Sequence, residues 1–232
     1  MTTWHEYAQR NGSLPEWPYP IRYGEERVVQ TDVLVLGGGI AGCHAAINAR
    51  RSGARVVVLE KAATKWSGNG GAGVDHWLAA CTNPSSEVSP EEFTAQAIRD
   101  SGGYDCGPLR YINAKDGWDT LLDCEQMGVQ IRDVHDEFKG AAFRDDDSRL
   151  LFAYDYQAKM DLRVYGWNMK PSLHKEMKRL RVQILDRVMV TALLTEENDQ
   201  GKRVIGAMGL HTRTGEFIIV QARATIYATG LP

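Results

Sequence analysis

Two short, continuous apolar runs flank a segment whose small residues recur at helical spacing. The first run is Asp32 to Leu36 and the second is Arg55 to Glu60. Runs without alternation predict strands buried on both faces, as in a parallel sheet. Gly37 to Gly39 break the first run, and a helix is predicted from about Ile40 to Ser52. Gly42, Ala45, Ala46 and Ala49 form its small-residue stripe, which lets a helix approach a sheet closely. Gly53 is placed to cap its C-terminus.

Further along, the period lengthens. Pro90 to Arg99 reads as a helix with Ser89 as N-cap and acidic residues in its first turn. Pro108 to Met127 reads as another, with Tyr111, Ala114, Trp118 and Leu121 on the buried face and Gly128 as the stop. Residues 132–168 are mixed and charged; the run Asp145 to Asp147 reads as a solvated turn. Pro171 to Leu180 is a helix with Leu173, Met177 and Leu180 on one face. Arg181 follows where a glycine cap would be natural, which implies either a left-handed arginine at a cost of about 1 kcal/mol or a different helix ending that avoids positive φ. The last fifty or so residues change character. Val182 to Leu185, Val188 to Thr195, Val204 to His211, Glu216 to Gln221 and Ala224 to Tyr227 read as strands, with Thr212 to Gly215 as a hairpin turn. The expected architecture is α/β: a parallel sheet with helices, plus a β-meander.

Composition narrows the function classes. A net charge of -3 gives no electrostatic attraction toward nucleic acid or an anionic membrane. The apolar runs are far too short to span a bilayer, so no direct membrane insertion is expected. Residues 1–30 are polar and proline-rich and lack the apolar core of a signal peptide, which points to an extended N-terminal segment on a cytoplasmic protein. Residues 31–232 form the expected domain. Cys43, Cys81, Cys106 and Cys124 have no metal-ligand spacing and read as free thiols, so no metal is expected.

Gly37, Gly39 and Gly42 make G-x-G-x-x-G between the predicted strand and helix. The first permits a tight turn, the second lets a pyrophosphate approach the backbone, and the third allows close packing. The helix N-terminus then points unpaired N–H groups at the phosphate charge. Glu60 ends the next strand about twenty residues on, where an acid accepts hydrogen bonds from a ribose. The motif serves FAD and NAD alike. Two further features favour FAD. The run Ser67-Gly68-Asn69-Gly70-Gly71-Ala72-Gly73 is poor in side chains and admits a large flat ligand to the backbone. The terminal strand ends in Ala228-Thr229-Gly230, which resembles the strand that returns beside the FAD site in two-dinucleotide flavoproteins.

The stretches Thr31 to Gly42, Val58 to Lys61, Ser67 to Gly73 and Arg223 to Gly230 resemble the N-terminal FAD-binding part of the fumarate reductase/succinate dehydrogenase flavoproteins. Within that family they are most similar to the adenylylsulfate reductase alpha-subunit branch. The resemblance implies a Rossmann-like FAD-binding domain and two-electron redox chemistry. It implies that Gly37, Gly38, Gly39, Ile40, Ala41 and Gly42 hold the pyrophosphate and Glu60 the adenosine ribose. Lys61 and Ser67 to Gly73 would line the ribityl and isoalloxazine side. Val190 would meet the adenine, and Ala228, Thr229 and Gly230 the phosphates. Covalent members attach FAD to a histidine, and aligning the Gly70-Gly71 pair puts Thr64 near that position; no histidine lies between His44 and His76. Noncovalent FAD is therefore expected.

His76 follows the glycine loop and is the candidate proton-moving catalytic residue, since an imidazole titrates near neutral pH. His174 is expected to be exposed on its helix. Family members continue into a capping domain that this chain ends before, which implies a truncated or split product. A complementing flavoprotein chain or an iron–sulfur subunit is the expected partner. Two other functions stay open: a nucleotide-binding module without catalysis, and an NAD-dependent dehydrogenase.

Overall fold

The computed structural model describes Arg10, residues 24–198 and residues 201–230. Most of the N-terminal segment expected to lie extended is outside the described residues. Strand β1 (Arg27–Leu36), helix α1 (Ile40–Arg51) and strand β2 (Val56–Glu60) form the βαβ unit. β1 and β2 are parallel, with Val33 opposite Val56 and Leu36 opposite Leu59. α1 ends where expected: Gly53 takes a left-handed φ of 90° and donates its N–H to the Arg50 carbonyl.

A two-residue strand β3 (His76–Trp77) pairs antiparallel with β4 (Leu162–Arg163). Between them lie α2 (Pro90–Asp100) and α3 (Gly107–Gln126). Ser89 and Glu92 close a reciprocal capping box on α2, and Gly128 follows α3 with a φ of 91°. Helix α4 (Met169–Arg179) begins two residues before Pro171. Proline is tolerated in a first turn because its missing N–H would be unpaired there anyway. Arg181 takes a φ of 59°, the left-handed one of the two helix endings the sequence allows.

The remaining strands are β5 (Gln183–Asp186), β6 (Val188–Asn198), β7 (Gly201–His211) and β8 (Phe217–Tyr227). Where two strands were expected from Glu216 to Tyr227, there is one. β8 pairs in unbroken parallel register with β1, from Arg27 opposite Ile218 to Leu36 opposite Tyr227. The same ladder extends β1 back to Arg27, five residues before its apolar run, because Ile218 to Ala222 supply partners for polar and apolar residues alike.

The six-stranded sheet runs β5-β2-β1-β8-β7-β6. β5 and β6 stand at its two ends, yet only Arg187 separates them in sequence. The sheet therefore curls so that the antiparallel β6-β7-β8 meander lies over one face of the parallel strands. Arg187 makes the corner with a φ of 64°; its N–H donates to Ala62 and its carbonyl accepts from Thr212. Two cores result. Val33, Val35, Val56 and Val58 pack with Ile47, Leu121, Met169 and Leu173 on the helical side. Leu34, Leu36, Val57 and Leu59 pack with Val188, Ala207, Ile218 and Val220 beneath the meander. Both faces of β1 and β2 are covered, which is why their apolar runs do not alternate.

The charged stretch after α3 is not a plain solvated loop. The Arg144 guanidinium is buried and pairs with Asp133, Asp136 and Asp146, while Asp145 accepts hydrogen bonds from Ser148 and Ser85. The run at Asp145 to Asp147 thus supplies partners to the interior as well as charge to the surface. Among the described residues, no helix is long and apolar enough to cross a membrane.

Candidate cofactor site

A cavity of about 710 Å³ opens at the C-terminal ends of β1, β2 and β8, within the size range of small-molecule sites. Five segments converge on it. Leu36, Gly37, Gly39, Ile40 and Ala41 come from the β1–α1 turn, and Leu59, Glu60 and Lys61 from the end of β2. Gly68, Asn69 and Gly70 come from the glycine loop. Val188, Met189 and Val190 come from β6, and Ala228, Thr229 and Gly230 from the end of β8. Of these, Leu36, Leu59, Val188 and Met189 were not anticipated. Apolar strand residues read as core, and only the curl of the sheet turns them toward the cavity.

The turn after β1 explains its glycines. Gly37 has a φ of 99°, and a Cβ there would lie 2.4 Å from the Ala228 carbonyl oxygen. The Gly37 N–H donates to Leu59 and the Ala228 N–H to Leu36, so the ends of β1, β2 and β8 are tied together here. A Cβ on Gly42 would lie 1.9 Å from the Gly37 oxygen, which sets how closely α1 meets the turn. Helix α1 has Gly39 as N-cap, with no side-chain cap and no acidic residue in its first turn. Its first N–H groups therefore lack intrahelical partners and are free for an anion.

Gly38 does not line the cavity but is held on both sides. Its N–H donates to Glu60 Oε2 at 2.6 Å. Its carbonyl accepts from Ser67 Oγ at 3.1 Å and from the Lys170 ammonium. Glu60 is buried, and its other oxygen accepts from the Ala62 N–H at 2.7 Å. Glu60 thus braces the glycine turn while it borders the cavity. Lys170 was missed because it directly precedes Pro171, where the helix was expected to begin; the earlier start of α4 buries it completely.

The rest of the glycine loop supports rather than lines. Asn69 to Ala72 form a single 3-10 turn. Gly71 packs against the Trp66 carbonyl, Gly73 lies against the Trp167 backbone, and Ser67 reaches down to Gly38. Thr64 is buried, and both its N–H and its hydroxyl donate to Asp186 Oδ1, at 2.8 and 2.6 Å.

His76 is not brought to the cavity. On β3 it pairs with Arg163, hydrogen-bonds Asp75 through Nδ1 at 2.6 Å and stacks on Tyr154 with ring centroids 3.7 Å apart. That hydrogen bond holds the Asp75 carboxyl below its ordinary range. His174 is half-buried rather than exposed, and burial lowers its pKa. Cys43, Cys81 and Cys124 are buried and Cys106 is exposed. Burial pushes the Cys124 thiol up to about 12 and the Cys81 thiol up to about 11. Such thiols are poor nucleophiles.

The residues present fit an extended, pyrophosphate-bearing ligand. The helix N-terminus meets the charge, the two glycine segments come within van der Waals contact at Gly39 and Gly68, and apolar strand ends floor the cleft.

Comparison with known proteins agrees. The family model described as an FAD binding domain matches residues 32–231. The A subunit of the CoM/CoB fumarate reductase of Methanothermobacter marburgensis is 28% identical over 212 residues, 89% of this chain and 36% of that protein. The structure of adenylylsulfate reductase from Archaeoglobus fulgidus superposes with a TM-score of 0.74 at 25% identity, covering 94% of this chain and 33% of that one. The Mycobacterium smegmatis Sdh1 complex shares the fold, with a TM-score of 0.71 at 20% identity over 88% of this chain and 35% of that one. The chain thus spans about a third of the length of these relatives.

Proposed function

This chain belongs to the FAD binding domain family, and from that premise we propose that its cavity holds FAD without a covalent bond. We further propose that it serves two-electron redox chemistry of the fumarate or adenylylsulfate reductase kind. The observation that carries the reading is the N-terminus of α1, uncapped and opening on the cleft between Gly37 and Gly70. The N–H groups of Gly39, Ile40 and Ala41 would take the pyrophosphate. The remaining lone pairs of Glu60 would accept from the adenosine ribose. Val190 would border the adenine, Lys61, Asn69 and Gly70 the flavin side, and Thr229 and Gly230 the phosphates. FAD supplies the redox chemistry when bound; the chain supplies binding, orientation and electrostatics.

Noncovalent binding draws support from Thr64, which the family resemblance puts near the linkage position and whose N–H and hydroxyl both donate to Asp186. An iron–sulfur partner and a cytoplasmic location belong to the same proposal. The first draws support from the relative whose name makes it one subunit of a larger enzyme.

The test is direct. The chain is incubated with FAD, desalted and precipitated with acid. Flavin retained through desalting and freed into the supernatant is expected. A yellow pellet would refute noncovalent binding, and binding of NADH but not FAD would refute the ligand. A second reading, nucleotide binding without catalysis, draws on His76 lying outside the cavity. Turnover of a dye-coupled dicarboxylate or sulfur substrate would exclude it.

A further inference from the structure

The Lys170 ammonium is among the most completely sequestered groups of the molecule, with 1% of the residue exposed. It makes no ion pair among the described residues; it donates to the Gly38 carbonyl and to Cys43 Sγ at 3.2 Å. The Cys43 thiol and the Ser67 hydroxyl converge on the same carbonyl, at 3.5 and 3.1 Å. Three donors on one carbonyl are more than a turn needs. A buried cation with no direct ion pair is costly, and an anion brought near it is favoured.

The geometry of the peptide unit shows where the effect goes. Among the described residues every peptide is trans. In a trans unit the carbonyl and the following N–H point in opposite directions. Pinning the Gly38 carbonyl inward on Lys170 and Ser67 therefore turns the Gly39 N–H outward. Gly39 borders the cavity and Gly38 does not. A cation on the carbonyl side also polarises the unit and strengthens its N–H as a donor.

We propose that Lys170 is a positioning residue for the pyrophosphate of the bound dinucleotide, acting through the Gly38–Gly39 peptide and supplying the counter-charge from beneath the turn. The inference rests on the reading of the cavity as a dinucleotide site. Ser67 is the auxiliary donor that holds the same peptide in place.

The test compares wild-type chain with Lys170→Met by titration calorimetry against FAD, ADP and riboflavin. The neutral variant should bind FAD and ADP about tenfold more weakly, the size of one charge-assisted hydrogen bond. Riboflavin, which lacks the pyrophosphate, should bind both proteins alike. The melting temperature of the ligand-free variant should be no lower than that of wild type, since an unpaired buried charge has been removed. ADP affinities equal within about twofold would overturn the proposal. So would equal weakening for all three ligands together with a lower melting temperature, which marks a merely structural lysine. If Lys170→Met does not fold, wild-type chain labelled with nitrogen-15 decides. ADP should move the Gly39 amide proton downfield, and a Gly39 amide unmoved while those of Ile40 and Ala41 shift would overturn the role. Wild-type chain that binds neither FAD nor ADP would instead strike the dinucleotide reading itself, and the proposal with it.

Discussion

Among the described residues two buried cations, Arg144 and Lys170, are treated in opposite ways. Arg144 has a side chain 1% exposed and is surrounded by carboxylates from Asp133, Asp136 and Asp146. Asp133 in turn accepts from the N–H groups of Glu137 and Phe138. There the cation is paired directly and in excess, and the cluster lies in the excursion between α3 and β4. Lys170 is as deeply buried but meets only a backbone carbonyl and a thiol. Among the described residues it has no direct ion pair; the nearest acid in the network, Glu60, is engaged with the Gly38 N–H on the other side of that residue. A cation paired directly by carboxylates is explained by the fold, whereas one held only by a carbonyl and a thiol beneath the glycine turn is the one we propose to act on a ligand. Desolvation is costly at both sites, but only at Arg144 do carboxylates pair directly with the cation.

The largest expected effect breaks the Arg144 cluster. Arg144→Met leaves the buried Asp133 without its cation, so the melting temperature should fall by roughly 10 °C. Affinity for ADP, measured below that transition, should stay within about twofold of wild type. A loss of ADP binding in the folded variant would mean that the two regions are coupled after all.

Next in size is Glu60→Gln, on the side of the glycine turn. One amide oxygen cannot replace both carboxylate oxygens, so the N–H of Gly38 or of Ala62 loses its acceptor. A cost of about 1–3 kcal/mol in urea unfolding is expected, together with weaker FAD binding. Unchanged stability would show that Glu60 does not brace the turn.

Ser67→Ala removes the auxiliary donor to Gly38. FAD binding should weaken by about threefold, the size of one neutral hydrogen bond, and clearly less than in Lys170→Met. An equal or larger loss would make Ser67, not Lys170, the main support of that peptide.

The smallest effect concerns a surface pair that belongs to neither region. Hydrogen bonds from the Arg55 side chain and backbone lower the Asp32 carboxyl to about 2. A depressed folded value means that the pair's contribution is full above the ordinary 3.8 and is lost as pH falls toward about 2. Asp32→Asn should flatten the acid limb of the stability profile in that window and leave FAD binding unchanged. A variant whose acid limb matches wild type would show that the pair contributes nothing to stability.

Much of the site was legible because its signals are local. Gly37, Gly39 and Gly42 are punctuation within six residues, and the apolar runs around them report burial on both faces without reference to anything distant. Glu60 follows from the length of one helix and one strand. Thr229 and Gly230, which border the cavity, were indicated only by the resemblance of this strand ending to flavoproteins. What failed was of another kind. His76 looked well placed by adjacency to the glycine loop, but its pairing with Arg163, its stacking on Tyr154 and its bond to Asp75 hold it away from the cavity. The one-residue corner at Arg187 carries no sequence mark that says it spans the whole sheet.

By itself, then, the chain's order of residues determined the βαβ unit, its glycine turn and the acid that follows, since backbone sterics and hydrophobic period act over a few positions. Only the tertiary structure decided which face the meander covers, that Leu36 and Val188 border the cavity, and that Lys170 lies under Gly38 from 132 positions away. Those outcomes depend on how α4 packs against α1 and how the sheet curls. Both are set by the balance of whole buried surfaces, which no short stretch of sequence contains.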